Sequence, residues 1–99
     1  MTMPLCETFH IAASHPALPG HFPGRPIVPG VVLLDRIAAA AERGFGRRLV
    51  ALPEVKFRRP LAPGATVRLR LERTTDGARF ALHCGAEEIA RGTLELAPP

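Results

Sequence analysis

His21, Gly30 and Asp35 are the residues whose types and spacing could do chemistry together. His21 lies in the run Pro19-Gly20-His21-Phe22-Pro23-Gly24. Prolines restrict the backbone on both sides of it, so the imidazole is positioned, as a proton-transfer group has to be. Gly30 stands where a helix is expected to begin. The first N–H groups of a helix have no intrahelical acceptor and lie at the positive end of its dipole, which suits developing negative charge. Asp35 falls about a turn and a half further into that helix. The combination suits proton abstraction beside a carbonyl. A histidine takes the proton, a helix-terminal N–H polarises the carbonyl, and a carboxylic acid gives its proton to a leaving hydroxyl. For that last role Asp35 has to carry a proton. A carboxyl group does so near neutral pH only when it is shielded from water.

Plainer readings of the same residues stand beside this one. The Pro/Gly run can be a rigid connector that carries an exposed histidine. Asp35 shares a helical face with Arg36, Ala39, Glu42 and Arg43, which is the pattern of a solvated stripe. His10, His15 and His83 read as structural or surface residues. The histidines together with Cys6 and Cys84 match no metal-ligand spacing, so no metal site is expected.

The elements that must position the set follow from local pattern. Residues 7–14 alternate weakly and suggest a first strand. Residues 15–30 hold five prolines and three glycines, which rules out a helix or an inner strand. Pro29 suits the first turn of a helix over residues 31–43, with Gly44 and Gly46 as stop signals. Val31, Leu34, Ile37, Ala38 and Ala41 form its expected apolar face. Strands are expected over 49–58, 65–73, 78–84 and 87–96. The third alternates cleanly, Val67, Leu69 and Leu71 against Arg68, Arg70 and Glu72. Asp76-Gly77 is a hairpin signal. One strand, one helix and an antiparallel meander make an α+β plan.

Ninety-nine residues suit one domain with a small core, and a small core favours self-association. Hydrophobic residues make up 46% and charged residues 22%, the balance of a globular rather than a disordered chain. The net charge of +4 comes from twelve Arg and one Lys against nine acids. These cations are scattered and no stacking aromatics are interleaved with them, so an acidic protein is a better partner than nucleic acid. The first residues carry no signal-like segment, and no stretch is long and apolar enough for a membrane span. A reducing, cytoplasmic setting is expected.

The segment Gly20-His21-Phe22-Pro23-Gly24-Arg25-Pro26-Ile27-Val28-Pro29-Gly30-Val31-Val32-Leu33-Leu34-Asp35 resembles the signature of the FabA/FabZ-type 3-hydroxyacyl-[acyl-carrier-protein] dehydratases. A second block, Val55 to Gly64 (VKFRRPLAPG), resembles that family's strand and turn after the helix. The resemblance implies a single hotdog domain over residues 1–99, an antiparallel sheet wrapped around one central helix. It implies elimination of water from a 3-hydroxyacyl thioester to give the trans-2-enoyl product. His21 and Asp35 then match the catalytic pair, Gly30 the backbone N–H for the thioester carbonyl, and Phe22, Pro23 and Gly24 the substrate-binding loop. It further implies sites shared between subunits of a homodimer or higher homo-oligomer. The substrate is carried on the phosphopantetheine of an acidic acyl carrier protein, and no metal or other cofactor is used.

Three departures bear on this. The acid is Asp, as in the FabA type and the short aryl-polyene-type (ApeI-like) dehydratases, rather than Glu. Ala39 replaces a frequent Gln, and Arg36 stands where a small residue is usual. The short chain is most similar to the ApeI-like subgroup. A hotdog acyl thioesterase and a non-catalytic acyl- or carrier-protein-binding module are the alternatives.

Overall fold

The computed structural model describes residues 4–11 and 28–98. His21, Phe22, Pro23 and Gly24 therefore lie outside the described residues, as does His15. The elements run β1 (Leu5–His10), α1 (Gly30–Phe45), β2 (Leu49–Phe57), β3 (Thr66–Arg73), β4 (Gly77–Cys84) and β5 (Glu87–Leu96). The strands form one sheet in the order β1-β3-β4-β5-β2, with every pairing antiparallel. The result is α+β, one helix laid across one face of an antiparallel sheet.

Alternation in the sequence decides which face of the sheet is covered. Val67, Leu69 and Leu71 of β3 are buried, while Arg68 and Arg70 between them are exposed. Phe80 and Leu82 of β4 and Ala90 and Leu94 of β5 continue the buried face. No polar or charged residue among those described is buried. Side chains of this kind gain about 1.5–3 kcal/mol each on burial, so the apolar layer between helix and sheet is the main source of stability.

The helix meets that layer with a different face from the one its apolar spacing suggested. Val32, Leu33, Ile37, Ala40 and Ala41 are buried, whereas Val31 is 63% exposed and Leu34 and Ala38 are half-buried. The stripe is rotated by roughly a quarter turn from the expected one, given about 100° per residue. Apolar residues occur nearly all round this helix, so their spacing leaves the rotation open. Packing against β1 fixes it, because Gly44 abuts the Leu5 side chain where a Cβ would collide.

Two glycines have roles that local sequence obscured. Gly77 is the first residue of β4 rather than a left-handed turn residue. Its missing side chain admits the backbone carbonyl of Leu94, which a Cβ would strike. The two-residue hairpin is the next one, Gly85-Ala86, where Gly85 adopts φ 61°, as a primed turn requires. The first strand is also shorter than expected and ends at His10. Pro53 is accommodated in β2 because that strand lies at one edge of the sheet and its register to β5 is irregular between Ala51 and Glu54.

Candidate active site

The N-terminus of α1 opens onto a cavity of about 390 Å³. Val28, Leu33 and Leu61 give it an apolar lining, Phe57 forms one wall, and Arg58 and Arg59 stand at its rim. Such a volume, apolar with a few polar groups, is that of a small-ligand site. Pro29 occupies the cap position in extended conformation and offers no side-chain hydrogen bond. Its carbonyl accepts from Val32 N at 3.0 Å and Leu33 N at 3.5 Å. Among the described residues, the Gly30 and Val31 N–H groups have no backbone acceptor. They are the donors that a helix leaves unpaired at its start.

Gly30 is shaped by its neighbour. A Cβ at this position would stand 2.7 Å from the Phe57 ring. The ring is 49% exposed and can yield, but only by moving the wall of the cavity. The glycine therefore keeps both the N–H and the space in front of it open.

The connector between β2 and β3 supports this region. Val28 N donates to Leu61 O at 2.9 Å, and Gly64 N donates to Ile11 O at 2.7 Å. Ile11 and Val28 are the residues on either side of segment 12–27, and both are buried. One turn thus ties down both ends of the segment that contains His21. Gly64 adopts φ 85°, a conformation that disfavours any residue with a side chain. Phe57, Leu61 and Gly64 all belong to the VKFRRPLAPG block. Local reading of that block found strand and turn but no role at the site; the paired prolines and the terminal glycine were the available signal.

Asp35 lies five residues after Gly30, about 7.5 Å further along the helix axis. It is exposed, as are Arg36, Ala39, Glu42 and Arg43 on the same side. Within one chain this is the geometry of the solvated stripe, and the shielding that a protonated acid needs is not provided by the described residues. Arg36 does not neutralise Asp35. Its guanidinium lies 4.6 Å from the centroid of the Phe9 ring, where a cation over an aromatic face is favourable. That contact gives the unusual Arg36 a structural role, fastening the end of β1 to the helix. Gly30 and Asp35 are thus brought onto one helix, while the placement of His21, Phe22, Pro23 and Gly24 falls outside the described residues.

No group of three or more His, Cys, Asp or Glu residues gathers among the described residues. Cys6 and Cys84 are free thiols, the first exposed and the second half-buried.

Comparison with known proteins adds to this geometry. Residues 5–93 match the family model described as ApeI-like, ApeI dehydratase. Among curated relatives, the 3-hydroxyacyl-[acyl-carrier-protein] dehydratase FabZ of Rhizobium rhizogenes is 33% identical over 88 residues, covering 79% of this chain and 56% of that protein. FabZ of Desulforamulus reducens is 32% identical over 94 residues, covering 82% and 66%. The chain thus spans less than two thirds of the length of these relatives. Among solved structures, the dehydratase heterocomplex ApeI:P of Xenorhabdus doucetiae superposes with a TM-score of 0.84 at 23% identity, covering 96% of this chain and 88% of that one. An uncharacterized protein of Erwinia carotovora subsp. atroseptica gives 0.80 at 26% identity, covering 96% and 83%. The shared fold is the hotdog arrangement of helix and antiparallel sheet.

Proposed function

The chain belongs to the ApeI-like dehydratase family, and on that footing we propose that it eliminates water from a 3-hydroxyacyl thioester borne by an acyl carrier protein. The observation that carries the reading is the helix start at Gly30, which lines an apolar cavity and whose N–H, like that of Val31, has no backbone acceptor among the described residues. The Gly30 N–H polarises the thioester carbonyl and stabilises the negative charge that develops on its oxygen. His21 removes the proton from C2. Asp35 gives a proton to the hydroxyl on C3, the C3–O bond breaks, and water leaves as the C2–C3 double bond forms. Phe22, Pro23 and Gly24 hold the substrate beside His21. The reaction moves a proton and a hydroxyl group only, so this reading assigns no cofactor beyond the carrier's phosphopantetheine.

The exposure of Asp35 supports a site completed by a second chain. In a homodimer or higher homo-oligomer, the partner covers Asp35 and supplies the shielding that a protonated acid needs. Among the described residues, Val31, Val50 and Phe57 are large hydrophobic residues left exposed, which supports a covering partner. The Xenorhabdus protein occurs in a dehydratase heterocomplex, so a related chain rather than a second copy is the alternative partner. No helix of the described residues is long and apolar enough to cross a membrane, and the reading places the protein in the cytoplasm.

The test is incubation with a trans-2-enoyl thioester. Loss of enoyl absorbance without release of thiol is the expected result. Release of free thiol would establish a thioesterase instead, and neither signal with carrier protein still bound would establish a binding module. His21→Ala and Asp35→Asn are each expected to lower turnover by about 10²–10⁴-fold while the circular dichroism spectrum is retained. Near-normal rates in Asp35→Asn would remove that residue from the site. Mixed dimers of the two variants are expected to regain part of the activity if the pair is shared between chains.

A further inference from the structure

The two sides of the cavity at Gly30 are held differently. Val28, Leu33 and Leu61 are buried, and a backbone hydrogen bond of 2.9 Å joins Val28 to Leu61. Close-packed side chains of this kind yield little, even to one added methyl group. Phe57 closes the other side. Its backbone is fixed, because it stands opposite Ala90 of β5 and the next residue, Arg58, donates its N–H to Ile89 O at 2.8 Å. Its ring is not fixed in the same way.

Three carbons of that ring lie 2.7–3.3 Å from where a Cβ on Gly30 would stand. The ring therefore rests against Gly30 with room for hydrogen atoms and none for a methyl group. A phenyl ring stabilises a fold by being buried. This one leaves half of its surface outside the core, at the point where the helix start meets the cavity.

We propose that Phe57 is a specificity-determining residue, which restricts the site to 3-hydroxyacyl thioesters without a branch at C2. This rests on the dehydratase reading, in which the Gly30 N–H takes the thioester carbonyl. C2 is bonded to that carbonyl carbon, so its substituents share the space between Gly30 and the ring. An unbranched C2 carries only hydrogens, as Gly30 does, and fits there. A methyl group on C2 meets the ring as a Cβ on Gly30 would. The exclusion is steric, since a 2-methyl substrate keeps one hydrogen on C2 for a base to remove. One methyl group in an apolar pocket changes kcat/KM by about 10–200-fold.

The test compares one 3-hydroxyacyl group with and without a 2-methyl branch, both as pantetheine thioesters, each C2 epimer assayed separately. Wild type is expected to favour the unbranched substrate by about 10–200-fold in kcat/KM over the better branched epimer. Phe57→Leu keeps an apolar wall but removes the ring, and is expected to cut that ratio at least about tenfold. Phe57→Met gives the same comparison if Phe57→Leu loses its cooperative melt. Equal rates of wild type on both substrates, or an unchanged ratio in a folded variant, would overturn the proposal. The corresponding saturated acyl amides of pantetheine neither lose water nor release thiol, so calorimetric titration reads the preference as binding alone. Wild type that dehydrates neither substrate would remove the dehydratase reading and leave this titration to decide Phe57. A preference for the unbranched amide that Phe57→Leu abolishes would support the steric role, and equal binding of the two amides by wild type would overturn it.

Discussion

At its C-terminal end α1 is fastened to the rest of the fold. Gly46, at φ 67°, donates its N–H to Glu42 O at 3.0 Å, and the Glu42 carboxylate accepts from Leu49 N at 2.9 Å. Arg43 grips both oxygens of Glu7 on β1 at 2.6 and 2.8 Å, and Arg73 lies 5.3 Å from the Phe45 ring centroid. At the N-terminal end there is no side-chain cap, and among the described residues two N–H groups lack a backbone acceptor. That end is held by apolar contact and by the neighbouring backbone of residues 61–64. A helix built only for stability would cap both ends, since a cap is worth about 1 kcal/mol. Here one terminus anchors the helix, which allows the other to keep its donors for a ligand.

Substitutions at the two ends separate these roles. Gly30→Ala keeps the N–H but pushes Phe57 out of place. It is expected to lower kcat/KM by about ten- to a hundredfold, with little change in thermal midpoint. A variant that melts early and turns over normally would make Gly30 a packing residue instead. Gly64→Val forces a branched side chain into φ 85° and loosens the turn that holds Ile11 and Val28. About 1–3 kcal/mol of stability should be lost in denaturant titration, together with turnover at permissive temperature. Gly46→Ala at the other end is expected to cost about 1–2 kcal/mol and leave kcat/KM unchanged. Arg43→Gln breaks an ion pair whose side chains are 62% and 36% exposed, so solvent screening limits the loss to about 0.2–1 kcal/mol. Were either C-terminal substitution to reduce turnover as strongly as Gly30→Ala, the division between the two ends would fail.

Much of the architecture was legible before any coordinates. The β3 alternation named its buried and exposed faces correctly, because a period of two admits only one sidedness once a core exists. Pro29 and Gly46 bound the helix as expected, whereas Gly44, read as a stop, lies inside it. Rotation of the helix was not legible, since Val31, Leu34 and Ala38 are as apolar as the residues that pack. The charged stripe from Asp35 to Arg43 marks the solvated side, but the contact of Gly44 with Leu5, which helps to set the rotation, joins residues far apart in sequence. Asp76-Gly77 marked the β3–β4 hairpin correctly, but the reason for a glycine at 77 was hidden, because its neighbour in space is Leu94. At the site, residue types and spacing singled out Gly30 and Asp35. The support from Leu61 and Gly64 was hidden because it consists of backbone hydrogen bonds across the fold.

The turn at residues 61–64 has a further consequence for how the protein can be altered. Because Ile11 and Val28 are each bonded to it, the two junctions of segment 12–27 are fixed by the body of the fold. The entropy of bringing those ends together is lost once, on folding, and grows only slowly with the length of what is inserted between them. The segment is in that sense a cassette. It can be exchanged for a longer or shorter version without re-engineering the sheet, so this stretch can diversify while the scaffold stays the same.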